Sequence, residues 1–245
     1  SVKAMKSHGN LGIEQSRIDT ELREAIEAAS RQVDDYCGRY FFTNYATLMF
    51  DNWSLYRLRV PDLVSITSLK QDEDLNRTFE VTWAATDYLL EPANADPTSR
   101  YNPRSHPYSE IIVDTDNGSK SHFTLGKRAI EINGKWGYWT HLQVATETLN
   151  EALDTTETEV DVSGTTEPAS IEPGHTILID SEQMYVESVN GLTLTVIRRV
   201  NGSSINTHSL GAAISIYEYP SAIVKATMAQ AARLFRRGMT GYVAS

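Results

Sequence analysis

The sequence predicts an α+β fold: a helical core with a β-rich portion, plus a separate small all-β domain. Three observations lead there. Apolar residues recur at three- and four-residue steps near both ends of the 245-residue chain, the period of a helix. Between those ends lie short runs of alternating or β-branched residues separated by turn-forming residues, the pattern of strands. Charge also changes abruptly along the chain. Residues 146–217 hold eleven acids and two bases (Arg198, Arg199), which accounts for −9 of the net −10 and marks a separate module.

Residues 1–15 carry Gly9 and Gly12 without a clear period and read as a mobile arm or a segment ordered only by a partner. From Ser16 onward, Ile18, Leu22, Ala25, Ile26, Ala29, Val33 and Tyr36 fall on one helical face. Ser16 with Asp19 resembles a capping box, Asp19 is itself a competing N-cap, and Gly38 suits the left-handed stop. The opposite face carries Glu21, Glu24, Glu27, Arg31, Asp34 and Asp35.

Strands are expected at 45–50 and 53–60, joined as a hairpin at Asp51-Asn52, with Pro61 ending the second. Further strands are expected at 64–69, 79–83, 88–90, 109–113 and 129–132. Four prolines in residues 91–107 read as a long excursion. In the acidic segment, strands are expected at 158–162, 176–179, 184–189, 192–197 and 213–217, with Asn190-Gly191 as a type I′ turn. Pro220 then opens a helix over 221–237 with Val224, Met228, Ala231, Leu234 and Phe235 as its stripe and Gly238 as its stop. Its basic last turn (Arg233, Arg236, Arg237) suits the helix dipole or a partner equally.

Several functional classes lose support. An acidic chain does not suit a clamp on nucleic-acid phosphates. No apolar run approaches the roughly 20 residues that span a bilayer, and nothing at the N-terminus argues for secretion. The single Cys37 excludes an intramolecular disulfide or a zinc site of two thiolates. The six histidines are scattered, and phosphate-cradling glycine motifs are missing. Asp114-Thr115-Asp116-Asn117-Gly118 departs from a calcium loop in its spacing and reads as a turn. No catalytic residue, metal or cofactor is assigned, and the expectation is that the chain is not an enzyme.

Two sets of residues carry a resemblance. Arg23-Glu24-Ala25-Ile26 through Tyr36-Cys37-Gly38-Arg39-Tyr40-Phe41, then Val60-Pro61-Asp62-Leu63 and Ile66-Thr67-Ser68-Leu69, then Trp136-Gly137-Tyr138 and Pro220 to Arg236, resemble the head-tail connector (adaptor) proteins of tailed bacteriophages. In that family the last two signatures are adjacent; here about 80 residues separate them, so the acidic β module is expected as an insertion. The resemblance thus implies a helical adaptor core over residues 1–141 and 218–245, with an inserted small all-β domain over 142–217. Within the insertion, Ile179-Asp180, Glu182, Met184, Arg198, Asn201-Gly202-Ser203 and His208 resemble a small β module that recurs in phage virion proteins.

The resemblance implies a structural subunit of the virion neck, made in the host cytoplasm. Copies, usually twelve, form a ring below the portal protein that extends the DNA channel and docks a tail-side completion or tail protein. Double-stranded DNA passes through without specific binding, and no membrane is involved. Leu234, Phe235, Arg236, Arg237, Met239 and Tyr242 are the expected portal contacts. Glu21, Glu24, Glu27, Asp34 and Asp35 are candidates for the channel wall, against the plainer reading of a solvated helix face. The alternative is a virion binding module whose inserted domain recognises a capsid or host-surface ligand.

Overall fold

The computed structural model describes residues 2–7, 19–99 and 104–240, and it divides into two compact units: 1–38 with 142–245, and 39–141. Each is built on its own antiparallel six-stranded sheet, while the three α-helices among the described residues take only 6, 19 and 20 residues. The fold is therefore predominantly β, and the expected helical adaptor core is corrected. Two amphipathic stripes are conspicuous in sequence, but most buried apolar side chains lie on the sheets.

In residues 39–141 the strands are β1 (Asn44–Asn52), β2 (Arg57–Gln71), β3 (Val81–Trp83), β4 (Tyr88–Glu91), β5 (Tyr108–Val113) and β6 (Gly126–Trp136). Their order is β1-β6-β2-β5-β4, with β3 also on β2. The core joins Leu58, Leu63, Leu69, Ile111, Ile130 and Ile132, with Trp83 stacked on Phe123 at 4.4 Å. The hairpin expected at Asp51-Asn52 does not form, because β6 lies between β1 and β2. Asn52 is buried and donates from its amide to the carbonyls of Ser54 (2.8 Å) and Thr124 (3.1 Å), which turns the chain away. Nor does Pro61 end a strand. It lies where the β2–β5 ladder skips from Arg59 to Leu63, so its missing N–H costs no ladder bond there.

In the other unit the strands are β7 (His141–Thr148), β8 (Glu159–Asp161), β9 (Thr176–Ile179), β10 (Glu182–Asn190), β11 (Thr193–Ile197) and β12 (Ala213–Glu218), in the order β7-β12-β9-β10-β11-β8. The two outer strands then meet. Leu149 bridges Val162, Asn150 N–H donates to Asp161 O at 2.8 Å, and Ser163 N–H donates to Thr148 O at 2.8 Å. The sheet thus closes into a small barrel filled by Val160, Ile177, Ile179, Met184, Val186, Leu194 and Ile214. Its first and last strands are neighbours, so the segment begins and ends at one place. The β10–β11 loop is Gly191-Leu192, one position beyond the expected pair, with the positive φ (+59°) on Gly191.

The helices are α1 (Val2–Ser7), α2 (Asp19–Cys37) and α3 (Ser221–Thr240). Leu22, Ala25 and Ala29 of α2 pack with Met5, Ala231 and Phe235, so part of the expected N-terminal arm is helix with a buried methionine. Gly38, at φ +62°, closes α2 as expected. Gly238 does not stop α3, which runs on to Thr240. The helices reach the barrel through Arg23, which donates to Glu187 O at 3.2 Å, and through the Lys3–Glu172 ion pair at 3.5 Å.

Candidate assembly site

Three segments far apart in sequence converge where the chain enters and leaves the 39–141 unit. Arg39 lies over the Tyr138 ring at 4.8 Å and pairs with Asp62 at 3.6 Å. Burial lifts the Asp62 carboxyl above its ordinary value, and the Arg39 charge offsets only part of that. Gly137 N–H donates to Asp62 O at 2.8 Å, Tyr138 N–H to Tyr40 O at 2.9 Å, and the Thr43 hydroxyl to Trp139 O at 3.1 Å. Phe41 meets Tyr138 edge-on at 5.5 Å. Gly137 sits at φ +134°, and a Cβ there would stand 2.2 Å from Phe42 O, so the crossing requires glycine. The Gly-Arg-aromatic, Val-Pro-Asp-Leu and Trp-Gly-Tyr segments thus form one fastener.

A second cluster closes the barrel. Glu182 is fully buried and takes Arg198 bidentately, Nε to Oε1 and Nη2 to Oε2, both at 2.8 Å. Arg198 also donates to the carbonyls of Asp154, Glu157 and Asn206 at 2.7–2.9 Å. The backbone N–H groups of Asn206 and Arg199 donate to Glu182 at 2.9 and 3.2 Å. Buried His208 bridges Glu182 (Nε2, 3.1 Å) and Asp180 (Nδ1, 2.7 Å). Burial opposes charge on Glu182, but the donors from Arg198, Asn206 and His208 win and bring its pKa down to about 2. The carboxylate–imidazole pairing looks like catalytic machinery, yet its polar atoms are spent on fastening β10 to the β11 end and the loops at 154–157 and 206. Of the residues of the second resemblance, Asp180, Glu182, Arg198 and His208 form this knot, Ile179 and Met184 fill the barrel core, and Asn201 and Ser203 bond to Gln183. Sequence reading found the motif residues without seeing that Glu182, Arg198 and His208 touch.

The expected portal contacts are dispersed. Phe235 is buried against α2, Leu234 is half-buried, and Arg236 and Arg237 are exposed. The Met239 side chain and Tyr242 lie outside the described residues. Of the channel-wall candidates, Glu21, Glu24, Glu27 and Asp35 are exposed. Asp34 is not: it is buried and bound by Arg31 at 3.1 Å, with Glu27 on the same guanidinium at 3.3 Å.

Among the described residues, Asp72, Asp74 and Glu80 come close enough to share a cation. Asp72 already accepts the backbone N–H groups of Asn76 (3.1 Å) and Arg77 (2.7 Å), donors that hold its pKa low despite burial. This is the grip of a turn. Asp114 does the same for Asp116 and Asn117, each at 3.1 Å, so the calcium-like sequence is a turn as expected. No protein-family profile, curated protein or solved structure matches this chain.

Proposed function

We propose that the chain is a structural subunit of the head-tail neck of a tailed phage, assembling as a ring between the portal and a tail-side protein. The reading rests on the resemblance, and one observation supports it above others: the connector-like segments at 39–41, 60–63 and 136–138 meet at one fastener around Arg39, Asp62 and Gly137. The β1-β6-β2 ladder brings these segments together, with Asn44 and Leu63 both opposite Trp136, and Arg39, Asp62 and Tyr138 add the side-chain contacts. In this reading the exposed acids of α2 (Glu21, Glu24, Glu27, Asp35) face the channel and let DNA slide by like-charge repulsion.

The deciding experiment is imaging of assembled particles carrying a tagged copy of this chain. Density for a ring of copies on the vertex axis, touching the portal, is the expected result. Copies scattered over the capsid or along the tail would overturn the reading. Replacing residues 142–217 by a short linker separates the alternative, since a host-recognition module predicts complete particles that adsorb poorly.

A further inference from the structure

The two sheets treat their edges differently. The barrel closes, and the hydroxyl oxygens of Ser163 and Ser170 further cover β7 by accepting from the N–H groups of Thr148 (2.9 Å) and Thr146 (3.2 Å). In the other sheet, β4 is an edge of four residues followed at once by Pro92. The edge strand β1 has none of these protections. It runs nine residues, pairs only with β6 among the described residues, and carries no proline and no charge before Asp51. A strand edge of that length is a template for another strand.

We propose that β1 is the strand through which two copies of this chain pair, edge to edge and antiparallel, about a twofold axis at Leu48. The side chains select both the partner and the register. With Leu48 opposite Leu48, Thr47 faces Met49, small Ala46 faces large Phe50, Tyr45 faces Asp51, and Asn44 faces Asn52. The core-side residues Ala46, Leu48 and Phe50 then meet only one another, and the outward residues Tyr45, Thr47, Met49 and Asp51 likewise. A shift by one residue would set core-side positions against outward ones. Leu48 is the midpoint of β1, so this register pairs all nine residues of the strand, whereas an axis on Met49 would pair only seven. No like charges oppose in the chosen register. The pairing is isologous, concerns the chain before it meets other components, and does not rest on the neck reading.

The test uses the full chain. Sedimentation should give a concentration-dependent mass of two chains. Thr47→Lys with Met49→Lys, both at exposed positions, sets lysine against lysine twice across the axis and should weaken pairing at least about tenfold. An unchanged tryptophan unfolding midpoint confirms that this variant is folded. In a Cys37→Ser background, mixing Thr47→Cys chains with Met49→Cys chains should give a disulfide-linked pair that neither variant forms alone. A single-chain mass at the highest soluble concentration would overturn the proposal. So would association indifferent to the two lysines, or cross-linking that is equal without mixing.

Discussion

Replacing Arg198 by alanine should unfold the barrel while leaving the 39–141 unit intact. The substitution leaves the Glu182 carboxylate at 0% exposure without its bidentate partner, and breaking such a buried pair costs about 3–5 kcal/mol. The carbonyls of Asp154, Glu157 and Asn206 lose a donor as well, although water can serve Asp154 at the surface. Neutralisation of Glu182 limits the total, so about 4 kcal/mol is expected, roughly a thousandfold in the folded-to-unfolded ratio. That is a large share of the stability of a small domain. The chain supplies a selective probe: Trp53, Trp83, Trp136 and Trp139 all lie in residues 39–141. Tryptophan fluorescence in urea therefore follows that unit, while hydrogen exchange of β9 to β12 follows the barrel. Lost protection in those strands with an unmoved fluorescence midpoint is the expected outcome. Unchanged protection would show that Glu182 is not held mainly by Arg198, and the reasoning would fail.

Three other outcomes are expected. Glu182 is shifted from about 4.5 to about 2 on folding, so its contribution is present above pH 4.5 and is lost as pH falls toward 2, at most about 3 kcal/mol. In Glu182→Gln that part of the acid sensitivity should vanish, with a residual slope from Glu147 and Asp154, whose pKa values are also lowered; barrel unfolding at pH 3 and pH 6 checks it. Gly137→Ala should cost more than about 2 kcal/mol through the clash with Phe42 O, read as an earlier tryptophan transition. Gly238→Ala lies inside α3 with nothing within 4 Å of the added methyl, and should stabilise that helix by up to about 1 kcal/mol, read from the thermal loss of helical circular dichroism.

Local pattern carried far in this sequence. The stripes of α2 and α3 were legible because one face of each is buried, and β9 to β12 because they alternate against a barrel core. Strand β7 was not legible, since one of its inward residues is Glu147, a carboxylate that reads as loop. It is tolerated inside because Ala169 N–H, Ser170 N–H and the Ser170 hydroxyl all donate to it. Pairing across distance was equally hidden: nothing local says that β1 takes β6 instead of β2. The weighting of helix against sheet failed for a related reason, because amphipathic helices advertise themselves while short strands gain their burial only once assembled. At the sites, motif residues could be named from sequence, but Asp34 shows the limit. It shares a helical face with exposed acids, yet it is buried and ion-paired with Arg31.

The adjacency of β7 and β12 has a mechanical consequence. In an antiparallel sheet the start of β7 lies beside the end of β12, so tension applied at residues 141 and 218 would load their shared ladder from one end. Such bonds rupture in sequence, each bearing the whole force in turn, whereas strands pulled from opposite ends resist as a set. Under such tension the β7–β12 ladder would thus open one bond at a time, as a zipper does.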